Sequence, residues 1–147
     1  MRALSFSGEY REGWAHYCEE RMRDYGFSDP PLQFMQTIFT IFRAVRIITD
    51  VKLHCGEMTF DEAVSLYESK TGMDHSIALN EVKWCTKSPT GSLSYLIGKH
   101  LLLQLQKDVK THLKEKYSDR QFHDVVLQAG SIPFPYLREE LKMKGML

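Results

Sequence analysis

Apolar side chains recur along this chain at intervals of three and four, the spacing that gathers them on one face of an α-helix. Nowhere do they alternate with polar residues as in a half-buried strand. Trp14, Tyr17, Cys18 and Met22 mark a first helix from about Glu9 to Tyr25, which Gly26 and the following Ser-Asp-Pro-Pro bring to a stop. A second runs from about Pro31 to Cys55, with prolines near its start and Gly56 just past its end. Thr59-Phe60-Asp61-Glu62 reads as a capping box and opens a short helix that closes near Thr71 and Gly72. A fourth helix is expected over Ser76 to Thr86, before Ser88-Pro89-Thr90-Gly91. A fifth, Ser92 to Tyr117, places Leu93, Leu96, Ile97, Leu101, Leu105 and Val109 on one side. Ser118-Asp119-Arg120-Gln121 is a second capping-box match opening a sixth helix, and Gly-Ser-Ile-Pro-Phe-Pro separates it from a last helix of about Tyr136 to Lys144. The pattern predicts an all-α bundle of six or seven helices forming a single domain over residues 1–147.

The second helix interrupts its own pattern. Arg43, Arg46, Asp50 and His54 fall at steps of three, four and four, which stacks them as a polar stripe along one face. The residues around them, Ile38, Phe39, Ile41, Phe42, Val45, Ile47, Ile48, Val51 and Leu53, make this helix apolar nearly all round, so burial on most sides is expected. Two readings of the stripe stand side by side. Arg46 pairs with Asp50 in a buried ion pair while the others face solvent, or the row lines a polar cavity that meets a ligand. On the first helix Glu12 and His16 are four apart, a spacing that lets both reach one metal ion. Two ligands are too few for zinc, and a solvated helix face is the plainer explanation. The 147 residues contain no H-E-x-x-H helix, phosphate-cradling glycine loop, G-x-S-x-G elbow or cysteine with an adjacent activating base.

Composition narrows the field. Nineteen basic and nineteen acidic residues cancel, and neither sign is concentrated in a block, which argues against nucleic acid as a partner. No stretch approaches the ~20 apolar residues that span a bilayer, and the opening residues carry no apolar run of signal-peptide length. Cys18, Cys55 and Cys85 are odd in number and widely spaced, so reduced thiols in a cytoplasmic protein are expected. His75, His100, His112 and His123 are scattered and read as ordinary surface or helix residues, and Trp14 and Trp84 read as core.

Four blocks in order, Glu12-Gly-Trp-Ala-His-Tyr-Cys-Glu-Glu20, Arg43 to His54, Leu93-Ser-Tyr-Leu-Ile-Gly98 and Phe122 to Leu141, resemble the C-terminal part of domain-of-unknown-function family 885. The resemblance implies a largely helical, zinc-metallopeptidase-like protein whose upstream H-E-x-x-P-G-H helix supplies two zinc ligands and the general base. It further implies Glu12 as a third ligand, Tyr95 as a phenol aimed at the tetrahedral oxyanion, Arg46 and His54 in the same cleft, and Asp50 orienting them. His16 stands where such proteins usually carry an apolar residue, and Gly91 where they commonly carry a glutamine. The expectation is therefore a metallopeptidase-like portion that is not catalytic alone, its zinc completed by ligands from another chain and its substrate a peptide. The alternative is a free-standing helical interaction module. The partner is expected to be an upstream-encoded polypeptide or a second copy in a homodimer.

Overall fold

A computed structural model describes residues 6–147; the opening five residues, on which part of the reading about a signal sequence rests, lie outside the described residues. Seven α-helices follow one another: α1 (Gly8–Asp24), α2 (Pro30–His54), α3 (Phe60–Thr71), α4 (His75–Lys87), α5 (Leu93–Leu113), α6 (Asp119–Ala129) and α7 (Phe134–Met143). Among the described residues there is no strand. The all-α expectation holds, and the caps explain where the helices start. The Ser7 hydroxyl accepts from the Tyr10 amide (3.2 Å) and the Asp29 carboxylate from the Leu32 amide (3.0 Å). Thr59 and Glu62 form the full reciprocal box, Glu62 N–H to Thr59 Oγ1 at 3.3 Å and Thr59 N–H to Glu62 Oε2 at 2.8 Å. Ser118 accepts from the Gln121 amide at 3.4 Å.

Two boundaries differ from expectation. Helix α5 stops at Leu113 instead of Tyr117, because Lys114 takes a positive φ of 49° and Lys114–Lys116 tighten into a 3₁₀ turn. The turn carries Tyr117 to Asp119, whose carboxylate accepts from the phenol at 2.5 Å. Helix α7 begins two residues early, at Phe134, with Pro135 in its first turn, where a missing amide costs nothing.

The apolar interior is divided. One cluster joins α1, α5, α6 and α7 through Tyr10, Tyr17, Leu102, Leu105, Val109, Phe122, Val126, Leu137 and Leu141. The other joins α2, α3 and α4 through Val45, Ala63, Val64, Tyr67, Ala78 and Val82. In the first, α1 and α5 make the most extensive helix contact of the fold, and the reason is a pair of glycines. A Cβ on Gly13 would lie 2.6 Å from the Gly98 Cα, and one on Gly98 would lie 2.9 Å from the Gly13 Cα, so the two backbones meet where no side chain fits. A polar network is buried around the same helices: Gln106 donates to the Tyr17 hydroxyl (2.8 Å) and to Asp119 (3.0 Å), and the Tyr17 hydroxyl meets His123 Nε2 at 2.8 Å. His123 is thus a structural group wedged against Trp14, not a loose surface residue.

The second helix corrects its expectation. Only Val45, Thr49 and Asp50 on it are buried. Phe34 is 65% exposed, and Leu32, Met35, Phe39, Ile41, Ile48 and Val51 lie between 40% and 47%. The reason is reach: at 25 residues the helix is about 37 Å long. Its packing against α3, α4 and α5 centres on Val45, Thr49 and Asp50 and leaves the opposite side uncovered, and periodicity reports an apolar face without reporting what covers it.

Replacing Gly98 with Ala drives a methyl into backbone that cannot yield. Despite alanine's better helix propensity, Gly98→Ala is expected to lower unfolding free energy by about 2 kcal/mol or more in urea titrations followed by circular dichroism.

Candidate functional site

The glycine contact determines what surrounds it. Glu12 adjoins Gly13 on α1, and Tyr95 lies three residues before Gly98 on α5, so the close approach brings the Tyr95 phenol against the Glu12 carboxylate. Partial burial and that carboxylate raise the phenol pKa above 10, while Arg46 and Arg43 pull the other way; the phenol stays protonated at neutral pH. The two guanidinium groups lie 5.7 Å (Arg43) and 5.8 Å (Arg46) from the Tyr95 ring centroid. Arg43 is held by both carboxylate oxygens of Glu19, each at 3.1 Å.

Arg46 does not pair with Asp50. Its guanidinium stacks on Trp84 at 4.3 Å and on Phe42 at 5.5 Å, and its Nε faces Glu81 at 3.5 Å, an ion pair whose geometry falls short of a hydrogen bond. Trp84, expected in the core, is instead 41% exposed and forms the outer plate of this stack.

Asp50 has a different set of partners. Its carboxylate is 2% exposed and accepts from the Thr90 amide (Oδ1, 3.1 Å) and the Ser92 amide (Oδ2, 3.3 Å), while Oδ1 meets His54 Nδ1 at 2.9 Å. The turn between α4 and α5 wraps round this carboxylate. Thr90, β-branched and at φ 67°, is strained there, and two charge-assisted amide bonds offset the cost. His54 Nδ1 also lies 2.8 Å from the Asp50 carbonyl oxygen, so both Asp50 oxygens fix the ring. The Cys85 thiol is buried beside them, and burial followed by the Asp50 charge raises its pKa.

The structure therefore brings Glu12, Tyr95 and Arg46 into one group and Asp50 with His54 into a second, one and two helical turns further along α2. Both lie at the seam between the two apolar clusters. A cavity of about 720 Å³ between α5 and α7, lined by Leu101, Leu105, Phe134 and Arg138 among others, lies apart from them. The sequence reading missed Glu81, Trp84 and Cys85. They fall at helical spacing on α4, a stripe facing the one on α2, and a lone tryptophan and cysteine look like core residues until the partner helix is known.

His16 sits in other company. It is buried at 3% exposure, its Nδ1 has no hydrogen-bond partner, and it borders a cavity of about 40 Å³ with Glu20, Gln36 and Lys99. Burial, then Arg43, then Lys99 push its pKa down to about 4, against smaller opposing contributions from Glu20 and the Tyr95 backbone. Burial together with Arg43 and Lys99 keeps the imidazole neutral at pH 7, and those two cations work against a dication beside it. Glu12, partly exposed beside Tyr95, does fit as one carboxylate ligand.

An all-helical architecture with a carboxylate, a phenol and paired guanidinium groups on separate helices defines a helical protein with a polar interhelical site. A family model described as bacterial protein of unknown function (DUF885) matches residues 1–141, and the chain belongs to that family. The crystal structure of a protein from Colwellia psychrerythraea designated a lipoprotein superposes with a TM-score of 0.88 at 30% identity, over 93% of this chain and 24% of that one. The chain thus spans about a quarter of that relative. No curated protein is detectably similar in sequence. Among the described residues no helix is long and apolar enough to cross a membrane.

A neutral, buried His16 makes stability depend on pH. The unfolded chain, with an ordinary histidine pKa, takes up the proton more readily than the folded one, so stability is complete above the usual histidine range and is lost as pH falls toward about 4. Between pH 7.5 and 5 the loss is expected to be about 2 kcal/mol in urea titrations, and His16→Gln is expected to flatten that difference.

Proposed function

We propose that this chain forms one wall of a metallopeptidase-like cleft, the remaining zinc ligands and the general base coming from polypeptide outside these 147 residues. The observation that carries the reading is the Tyr95 phenol against the Glu12 carboxylate, flanked by Arg43 and Arg46. Glu12 would hold zinc as one carboxylate ligand. A bound zinc supplies an activated water and a Lewis acid for a peptide carbonyl. The chain's own residues do the rest. Tyr95, protonated at neutral pH, presents an O–H to the oxygen on which negative charge develops. Arg46, stacked on Trp84 and facing Glu81, would exchange that partner for a substrate carboxylate, and Asp50 holds the His54 ring in one orientation further along α2. Free thiols at Cys18, Cys55 and Cys85 accord with a cytoplasmic setting, which belongs to the same proposal.

The experiment is co-expression with an upstream-encoded polypeptide bearing H-E-x-x-P-G-H. The pair is expected to co-purify with zinc and to hydrolyse peptides in a zinc-dependent way. Glu12→Gln should lose peptidase activity together with one equivalent of zinc, and Tyr95→Phe should lower kcat by about 10²- to 10³-fold with little change in KM. Peptidase activity indifferent to Glu12→Gln would defeat the reading.

The exposed apolar face of α2 supports a second one, a helical module that self-associates as a homodimer through Phe34, Phe39 and their neighbours. Sedimentation velocity is expected to show a dimer that Phe34→Glu with Phe39→Glu converts to monomer. A monomeric wild-type chain at micromolar concentration would rule it out.

A further inference from the structure

We propose that Asp50, His54 and Cys85 form a binding site for a thiophilic divalent cation, zinc foremost, separate from the Glu12 carboxylate. The three residues come from two helices, α2 and α4, and each offers one ligand atom lying within 4.8 Å of the other two. The Asp50 oxygen and the His54 Nδ1 are 2.9 Å apart.

Zinc bonds of about 2.0–2.3 Å in tetrahedral geometry separate neighbouring ligand atoms by roughly 3.3–3.8 Å. The trio therefore has to open at its shortest edge and close by up to about 1.3 Å elsewhere, within the reach of side-chain rotations. Its donor set is mixed: one carboxylate oxygen, one imidazole nitrogen and one sulfur, the combination that selects zinc or cobalt over magnesium or calcium.

Charge balance favours the same occupant. Binding releases the Cys85 thiol proton to water, and the proton that His54 Nδ1 shares with the Asp50 oxygens leaves to solvent while Nε2 takes one up, so the cation replaces that hydrogen bond. Thiolate and carboxylate then carry two negative charges against a dication, with the imidazole neutral. Cys85 is fully buried, Asp50 2% exposed and the His54 side chain 32% exposed, so the site is closed on the protein side and open on one flank, where a water completes four-coordination.

The surroundings are already arranged as an outer shell. The amides of Thr90 and Ser92 hold the two Asp50 oxygens at 3.1 and 3.3 Å, leaving lone pairs on the carboxylate for a metal, and the Ser92 hydroxyl, buried at 1% exposure beside the thiol, lacks a well-formed hydrogen bond. Arg46 and Glu81, the nearest charges on α2 and α4, face each other and leave the field at Cys85 to Asp50. Two ligands four apart on one helix and a third from the helix packed against it is the economy by which a small fold builds a cation site.

Cobalt titration of the chelator-treated full chain tests this, because a thiolate bound to cobalt has its own charge-transfer absorption. One cobalt per chain is expected, with that band present, and competing zinc should remove it. Cys85→Ser is expected to abolish the band and to weaken zinc binding at least tenfold; His54→Ala, on a partly exposed residue, should weaken it comparably without disturbing the fold. Glu12→Gln and His16→Gln should leave the band unchanged, which separates this site from the zinc held by Glu12 in the reading proposed above. The exposed thiol of Cys55 adjoins His54, so Cys55→Ser is the decisive control and is expected to keep the band. No band at one equivalent in a helical, folded chain, or a band that follows Cys55 instead of Cys85, would overturn the proposal.

Discussion

Helices α1 and α5 meet backbone to backbone, where Gly13 of the one faces Gly98 of the other. Everything chemically interesting is measured from that crossing. Two helices carrying any side chain at those positions would stand further apart, as ordinary helix pairs do. Tyr95, three residues before one glycine, could not then lie against Glu12, immediately before the other. A pair of residues with no side chain thus sets the spacing of a pair whose side chains matter.

From there the polar residues divide their tasks. The apolar clusters of α1, α5, α6 and α7 and of α2, α3 and α4 leave a seam, and the seam is where charge is tolerated. Each ion along the seam is compensated by its own means. Arg46 has an aromatic plate and Glu81, Asp50 has two amides and an imidazole, and Arg43 has a bidentate carboxylate. His16 is compensated by staying neutral. Such separate solutions hold each group in a distinct orientation, whereas a single Arg46–Asp50 pair would have satisfied both and presented neither.

Much of the fold was legible because its signals are local. Caps at Thr59 and Ser118, prolines at Pro30 and Pro31 and glycines at Gly56 and Gly72 act within a turn of where they stand, so element boundaries came out nearly right. Lys114 escaped because a lysine at positive φ has no compositional signature. The α2 stripe was legible as a pattern; the family resemblance led to the expectation of Arg46 and His54 in one cleft with Glu12 and Tyr95, and of these the structure sets Arg46 against Tyr95 and holds His54 on Asp50. What could not be read was pairing. Asp50 finds its amides 40 and 42 residues away, at Thr90 and Ser92, and Cys85 joins it from a helix whose sequence reads as plain core. The exposure of α2 was hidden for the same reason: an apolar face is a property of one helix, but its burial is a property of whatever lies opposite.

The division of the interior has a dynamic corollary. Two apolar clusters with no residue in common are the arrangement from which separate opening units arise, each with a free-energy cost below that of the whole. Glu12 and Tyr95 ride on one unit, Arg46, His54 and Cys85 on the other, and the Asp50 carboxylate, gripping amides in the connector before α5, fastens them together. Hydrogen-exchange protection on the two sides of that fastening would then decay at different rates. The integrity of the wall as a surface is tied to the one buried carboxylate that bridges the halves.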